Sequence, residues 1–378
     1  MGVAMDSKDI ALLLPWEEIE GDAIKQIMHV ASLPIVKRMA IMPDCHTGYD
    51  MPIGGVALVD GAVNPAYVGY DIGCGMTLSM TGLRAEDLNE RKKKQLFKDI
   101  YEVVPTGLGA AHSTTQDPQG LIPEVFESAS NDKNLNDAVN AKLLPQFGTL
   151  GSGNHFIELG QTTRVNPGEV AVTIHSGSRN VGHTIATYYM KLAEKAQHEG
   201  CRGFFGIETE LGRQYLKDME FALNYALANR LRMVHRVLDI LGSRAIVVQI
   251  NENHNHAVTT VDGVLHRKGA TPADKGQYGV IPGNMRDGVF VTRGLGNDTY
   301  LSSASHGAGR KMSRAKAKAS IPLEKFEKSM HGIVARVDKG TLDEAPFAYK
   351  HLQTVIDRQE GIVIDVMDHI TPLINVKG

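Results

Sequence analysis

The chain is 378 residues long, 42% hydrophobic and 22% charged, with a formal net charge of −3. That balance supports a large buried core and argues against a general nucleic-acid coat, although a local basic groove fits inside a balanced total. Three cysteines are no disulfide framework, the N-terminus lacks the regions of a signal peptide, and no apolar run approaches the roughly 20 residues of a membrane span, so the expected protein is cytoplasmic with no membrane partner.

In chain order, residues 24–31 predict a short helix and 36–42 a strand that runs into Met42-Pro43-Asp44-Cys45-His46-Thr47-Gly48. Asp44, Cys45 and His46 read as a group that supports nearby ligands rather than as a metal site of its own, because metal ligands need hydrogen-bonded partners. Residues 52–59 predict a glycine bend and a β-branched strand. Then comes Val68-Gly69-Tyr70-Asp71-Ile72-Gly73-Cys74-Gly75, in which a carboxylate and a thiol stand three positions apart between glycines that let the backbone approach an ion. We read it as a metal-ligand pair; a turn around a buried free cysteine is the alternative.

Residues 84–104 predict a charged helix with Lys92, Lys93 and Lys94 on a solvated face, and the polar stretch 113–135 predicts a surface loop. From Gly148 to Glu158, glycines deliver Asn154 and His155 to a strand on which Phe156 and Glu158 share one side. The pattern repeats where a strand from Glu169 ends at His175 and enters Ser176-Gly177-Ser178-Arg179, a loop of backbone N–H groups and a guanidinium suited to phosphate. Residues 207–241 predict the longest helix, its stripe of Leu211, Tyr215, Met219, Ala222 and Ala226 explained by core packing alone. Gly242 closes it.

A strand over 245–250 delivers His254 in the run 251–256. Short strands and loops follow, including a strand over 289–292. His306 then lies between Ser305 and Gly307-Ala308-Gly309, ahead of a basic helical segment over 310–318. A last strand over 361–366 leads to a tail ending in Lys377-Gly378. Nothing repeats at a period of 20–50 residues and no linker divides the chain, so residues 1–378 are read as one intertwined catalytic domain.

Asp71, Cys74, His155, His175 and His254 exceed the four ligands of a mononuclear zinc site. With a bridging thiolate they suit two divalent ions. Carboxylate and imidazole admit manganese, whereas thiolate leans toward zinc or cobalt. Each histidine taken singly reads equally well as a hydrogen-bonded core residue. His306, among residues without bulk and close to Arg310 and Arg314, reads as a nucleophile rather than a sixth ligand.

The segments MPDCHTG, PIGGV, GYDIGCG, GTLGSGNHFIE, HSGSR, HRKGA, GQYGVIPG, SSASHGAGRKMSR and the terminal VKG together resemble the RNA-splicing ligase RtcB family over nearly the whole length. The resemblance implies an α+β fold, a single compact RtcB-like domain with a central metal-binding cleft. It implies two Mn2+ ions held by Asp71, Cys74, His155, His175 and His254, with Cys74 bridging, and attack of His306 on the α-phosphorus of GTP to give a covalent histidine–GMP. The guanylate would pass to an RNA 3′-phosphate, which a 5′-hydroxyl end would attack; 2′,3′-cyclic phosphate ends would first be opened by the same site.

On the same resemblance, Asn154, Phe156, Glu158, Ala308, Gly309, Tyr349 and Lys377 match nucleotide-contacting positions, and Arg179, Arg310 and Arg314 match positions that bind RNA phosphates. An archease-type activator and a monomeric state belong to the family picture. Pro282-Gly283-Asn284-Met285-Arg286 departs from the common pattern, as does Asn180, so no nucleotide contact is carried over to that proline loop. Two other classes stay open: a dinuclear phosphodiesterase with His306 as general acid, and a paralogue that caps ends without sealing them.

Overall fold

The structure is a computed structural model that describes residues 10–114, 116–243 and 247–378. Two sheets carry it. In the first, strands Ile10–Leu12, Val36–His46, Ile53–Val59, Gly263–Lys268 and Asn255–Thr260 lie side by side in that order, the outermost pair parallel and the rest antiparallel. In the second, the order is Val247–Asn253, Gly75–Arg84, Glu169–Ser176, Phe156–Thr162, Ile364–Lys377, Val289–Gly294 and Tyr278–Pro282. All neighbours on that path are antiparallel, and the sheet curls into a near-barrel around Met76, Leu78, Phe156, Ala171, Ile250, Val280, Val289 and Ile370.

The antiparallel register decides where chemistry can gather. Gly75 pairs with both Ser176 and Asn253, and Phe156 pairs with both His175 and Lys377. Strand starts and strand ends therefore alternate along one edge of the sheet, and residues from five distant segments meet there.

The long helix spans Glu210–Leu241. It starts later than the apolar spacing predicts because the Thr209 hydroxyl caps it, accepting from Gly212 N at 3.1 Å, and Gly242 ends it at φ 67°. Tyr215, Met219, Ala222 and Ala226 are buried as expected. The helix does more than pack, however. Arg230 is fully buried and donates to Gly73 O and Ser176 O at 2.9 Å each, and to Asn251 Oδ1 and Asn253 Oδ1 at 2.8 Å each. One guanidinium thus ties the Asp71–Cys74 loop to the ends of two strands. Gly73, at φ 74°, gives the closeness this needs, since a Cβ there would lie 2.8 Å from Ala226 Cβ.

Replacing Arg230 with methionine leaves those four acceptors unpaired. At about 1–3 kcal/mol for each unsatisfied buried group, the expected loss exceeds about 3 kcal/mol in urea unfolding; a loss below about 1 kcal/mol would show that the clamp is dispensable.

Several sequence expectations change. The stretch 113–135 is not simply a surface loop: Ile122 and Phe126 are buried against the helices Arg179–Ala193 and Glu210–Leu241, and Ser128 Oγ and Ala129 N donate to the buried Asp218 carboxylate at 2.6 and 2.8 Å. Polar composition hid two apolar anchors. Lys93 is buried and paired with Glu90, so only Lys92 and Lys94 form the solvated face. The basic helix is Arg314–Ser320, begun by the Ser313 cap, and Arg310 lies in the preceding loop.

The final strand is Ile364–Lys377, fourteen residues, so Lys377 ends a central strand and not a tail. Pro372 and the irregularity between Pro372 and Ile374 disguised it. The strand expected over 245–250 is described from Val247 to Asn253, residues 244–246 lying outside the described residues. Among the described residues, no helix is long and apolar enough to cross a membrane.

Candidate active site

At the shared sheet edge, Cys74 is the centre. Its Sγ lies 3.4 Å from His155 Nε2 and 3.2 Å from His175 Nε2. Asp71 Oδ2 is 3.2 Å from His155 Nε2, and His254 Nε2 is 3.4 Å from His175 Nε2. Two triads result, Asp71-Cys74-His155 and Cys74-His175-His254, the donor atoms within each lying no more than 4.8 Å apart. The thiol belongs to both, so the five predicted ligands lie together as two groups that share one sulfur, each of which could hold a metal ion.

The donor chemistry fits divalent cations. His155 Nδ1 faces Leu150 O at 3.0 Å and His175 Nδ1 faces Asn154 O at 3.2 Å, which turns both Nε2 atoms toward the cluster. Burial holds His175 and His254 well below the usual imidazole range, so both are neutral with a lone pair to offer. Burial and the Asp71 charge push the Cys74 thiol well above its usual range. Such a sulfur ionises when a cation takes the place of its proton.

His306 stands beside the second triad, its ring centroid 4.8 Å from that of His254 at 70°. Its Nδ1 lies 2.7 Å from Oδ2 of Asp44, which is wholly buried. The small-residue loop makes this approach: at Gly309, φ 73°, a Cβ would sit 2.5 Å from Asp44 O. Asp44 thus lies against His306 and belongs to neither triad.

A cleft of about 240 Å³ opens from His306. Asn154, Phe156, Ala308, Gly309, Arg310, Arg314, Tyr349 and Lys377 all line it. Pro282, Gly283, Asn284 and Met285 line it too, in the loop to which the family resemblance carries over no nucleotide contact. Glu158 and Arg179 are placed differently. Glu158 lies behind the wall, accepting from the cleft residue Asn375 at 3.0 Å through Oε2, while its buried Oε1 has no partner. Arg179 lies on the Asp71 side at φ 58°, its guanidinium so close to Gly151 that a Cβ there would meet it at 2.3 Å.

Sequence reasoning missed Glu344. This buried carboxylate takes Lys377 Nζ and Tyr349 OH at 2.6 Å each through Oε2, and Arg310 Nη1 at 3.4 Å and Arg314 through Oε1. Burial acts to raise its pKa, yet Lys377 and Arg314 hold it below the ordinary carboxylate range. Its surroundings, Thr341-Leu342-Asp343-Glu344-Ala345-Pro346, read as an ordinary polar turn. No spacing in the sequence announces that three distant cations converge on it.

Glu158 supplies a pH signature. Burial raises its pKa from the ordinary 4.5 to about 8, with Asn375 and Lys377 opposing. The folded state thus binds a proton that the unfolded state has released, and stability is lost as pH rises from 4.5 toward about 8. The slope reaches up to about 1.4 kcal/mol per pH unit. Glu158→Gln removes this loss: unfolding of the two proteins in urea should diverge between about pH 5 and pH 8, the variant being more stable at the upper end. Parallel curves would contradict the assignment.

The family model described as tRNA-splicing ligase RtcB matches residues 26–378. An RNA-splicing ligase RtcB of Escherichia coli is 34% identical, with 95% of each chain covered. A tRNA-splicing ligase RtcB of Methanococcus maripaludis is 32% identical over 97% of this chain and 93% of its own. An RNA-splicing ligase RtcB of Mycobacterium tuberculosis is 32% identical over 93% of this chain and 100% of its own.

Proposed function

Because the chain belongs to the RtcB family, we propose that it is a GTP- and manganese-dependent RNA ligase that joins 3′-phosphate or 2′,3′-cyclic phosphate ends to 5′-hydroxyl ends. The observation that carries this reading is the position of His306, with Asp44 at Nδ1 and the thiol-centred donor cluster alongside. Asp44 favours the tautomer with the proton on Nδ1, which leaves the Nε2 lone pair free as a nucleophile.

Attack on the α-phosphorus of GTP forms a P–N bond and breaks the P–O bond to pyrophosphate. Arg310, Arg314 and Lys377 face the cleft and offset phosphate charge once the ligand displaces part of their pairing with Glu344 and Asp343. Phe156 and Tyr349 supply ring faces for the nucleotide. Asp71, Cys74, His155, His175 and His254 would hold the two ions, which when bound supply Lewis-acid stabilisation of charge on phosphoryl oxygens. The GMP group then passes to the RNA 3′-phosphate, and the 5′-hydroxyl attacks that phosphorus to form the phosphodiester and expel GMP.

Sealing of a 3′-phosphate RNA to a 5′-hydroxyl RNA in the presence of GTP and manganese tests the reading. Arg179, on the Asp71 side, is assigned to RNA phosphate and not to GTP. Arg179→Ala should weaken joining by about 10- to 100-fold, the worth of one charge-assisted hydrogen bond, and leave guanylylation largely in place. Equal loss of both steps would remove Arg179 from the RNA path. RNA cleavage with no sealing would favour the dinuclear phosphodiesterase class, and labelled protein that never seals would favour a capping paralogue.

A further inference from the structure

Of the eleven tyrosines in the chain, three are exposed: Tyr49 at 59%, Tyr70 at 41% and Tyr278 at 47%. Two of those three touch. The Tyr49 and Tyr70 rings lie 6.0 Å apart at a tilt of 48°, and Tyr70 stacks at 24° on the exposed imidazole of His183, 5.2 Å away. Solvated aromatic rings drawn into a row expose apolar faces that ordinary packing would cover. Neither the metal cluster nor the cleft uses them.

Their positions in the chain place this row at the metal edge. Tyr70 is the residue before Asp71, one Cα step of about 3.8 Å away. His183 lies one turn into the helix Arg179–Ala193 that begins with Arg179, and Tyr49 follows the cleft residue His46 by three positions. Each ring therefore comes from a segment that also delivers a group to the active site. Lys268 anchors one of them, its Nζ donating to Tyr49 O and, at 2.8 Å, to Ala66 O, with the ammonium 6.0 Å from the Tyr49 ring centroid. Arg179, which begins the helix that carries His183, brings a guanidinium that interacts electrostatically with Asp71.

We propose that Tyr70 and Tyr49, backed by His183, form a stacking platform for an unpaired base at the RNA end that approaches the Asp71 side of the metal cluster. This rests on the ligase reading for the identity of the RNA. The physical case is that single-stranded RNA is held by base stacking on aromatic faces together with cations along the backbone. The row supplies the faces, the buried Lys268 ammonium fixes Tyr49 from beneath, and Arg179 supplies the positive charge. Stacking is tolerant of sequence because every base has a π-face, so the platform would fix the position of the end without selecting its sequence.

The test uses the full chain and a short single-stranded RNA with a 3′-phosphate and 2-aminopurine as its last base. Binding should quench the 2-aminopurine fluorescence. Tyr70→Ala combined with Tyr49→Ala should abolish the quench and weaken binding by roughly 5- to 150-fold, given about 1–3 kcal/mol per stacked base, whereas Tyr70→Phe should retain both. An RNA whose last nucleotide is abasic should bind the wild type and the double alanine variant equally. Both tyrosines are exposed, so the substitutions are expected to fold, and an unchanged urea midpoint verifies it.

An unaltered quench in the double variant, or equal loss with the abasic RNA, would overturn the platform. So would the absence of any binding to the wild type. Labelling of the wild type with GTP scores the ligase reading separately. A tyrosine-dependent quench without GMP labelling would leave the platform standing and sink the ligase.

Discussion

Replacing His306 with alanine should abolish covalent GMP labelling, a loss of at least about 10⁴-fold or about 5.5 kcal/mol of barrier, while metal content stays unchanged. The reason is geometric. His306 approaches the cluster through ring contact with His254, but its Nδ1 faces Asp44 Oδ2 at 2.7 Å, and it belongs to neither triad of donors. A ligand would take metal with it when removed; a nucleophile would not. Metal analysis beside the labelling assay separates the two, and residual labelling above about one thousandth of wild type would point to another nucleophile.

The second large effect falls on Cys74. Because its sulfur is common to both triads, Cys74→Ala should empty both sites, whereas Asp71→Ala or His254→Ala, each in one triad, should lower occupancy by about one ion per chain. Elemental analysis after dialysis against trace metal gives the count directly. Two ions retained in Cys74→Ala would make the thiol a buried structural residue, and loss of a single ion would remove it from the shared position. The substitution itself deletes one buried atom and should leave the fold intact.

The difference between what the sequence announced and what it hid follows from chain distance. Asp71 and Cys74 stand three apart on a glycine loop, and His155 and His175 close a loop and a strand, so local pattern exposed them. Their assembly into two triads around one sulfur needed the antiparallel register that brings Gly75, Ser176, Asn253 and Phe156 to one edge. Arg230 was invisible because its helix is amphipathic like any other, and a charged residue at that spacing ordinarily faces water. Glu344 was invisible because four partners reach it from chain positions before and after it.

The strand Ile364–Lys377 shows the opposite failure. Local signals, a proline and a polar stretch, argued against a central strand, and tertiary pairing on both sides overrode them. That strand presents Asn375 and Lys377 to the cleft. Lys377 is legible only through the family resemblance, while Asn375, which connects the cleft to Glu158, carries no local mark.

The most direct test of the account is incubation of the protein with α-labelled GTP and manganese, followed by denaturing electrophoresis and mapping of the labelled peptide. The account predicts an acid-labile, alkali-stable label on the peptide that contains His306, with release of one pyrophosphate per chain labelled. No label with any divalent metal, or a label that maps to a lysine, would contradict it.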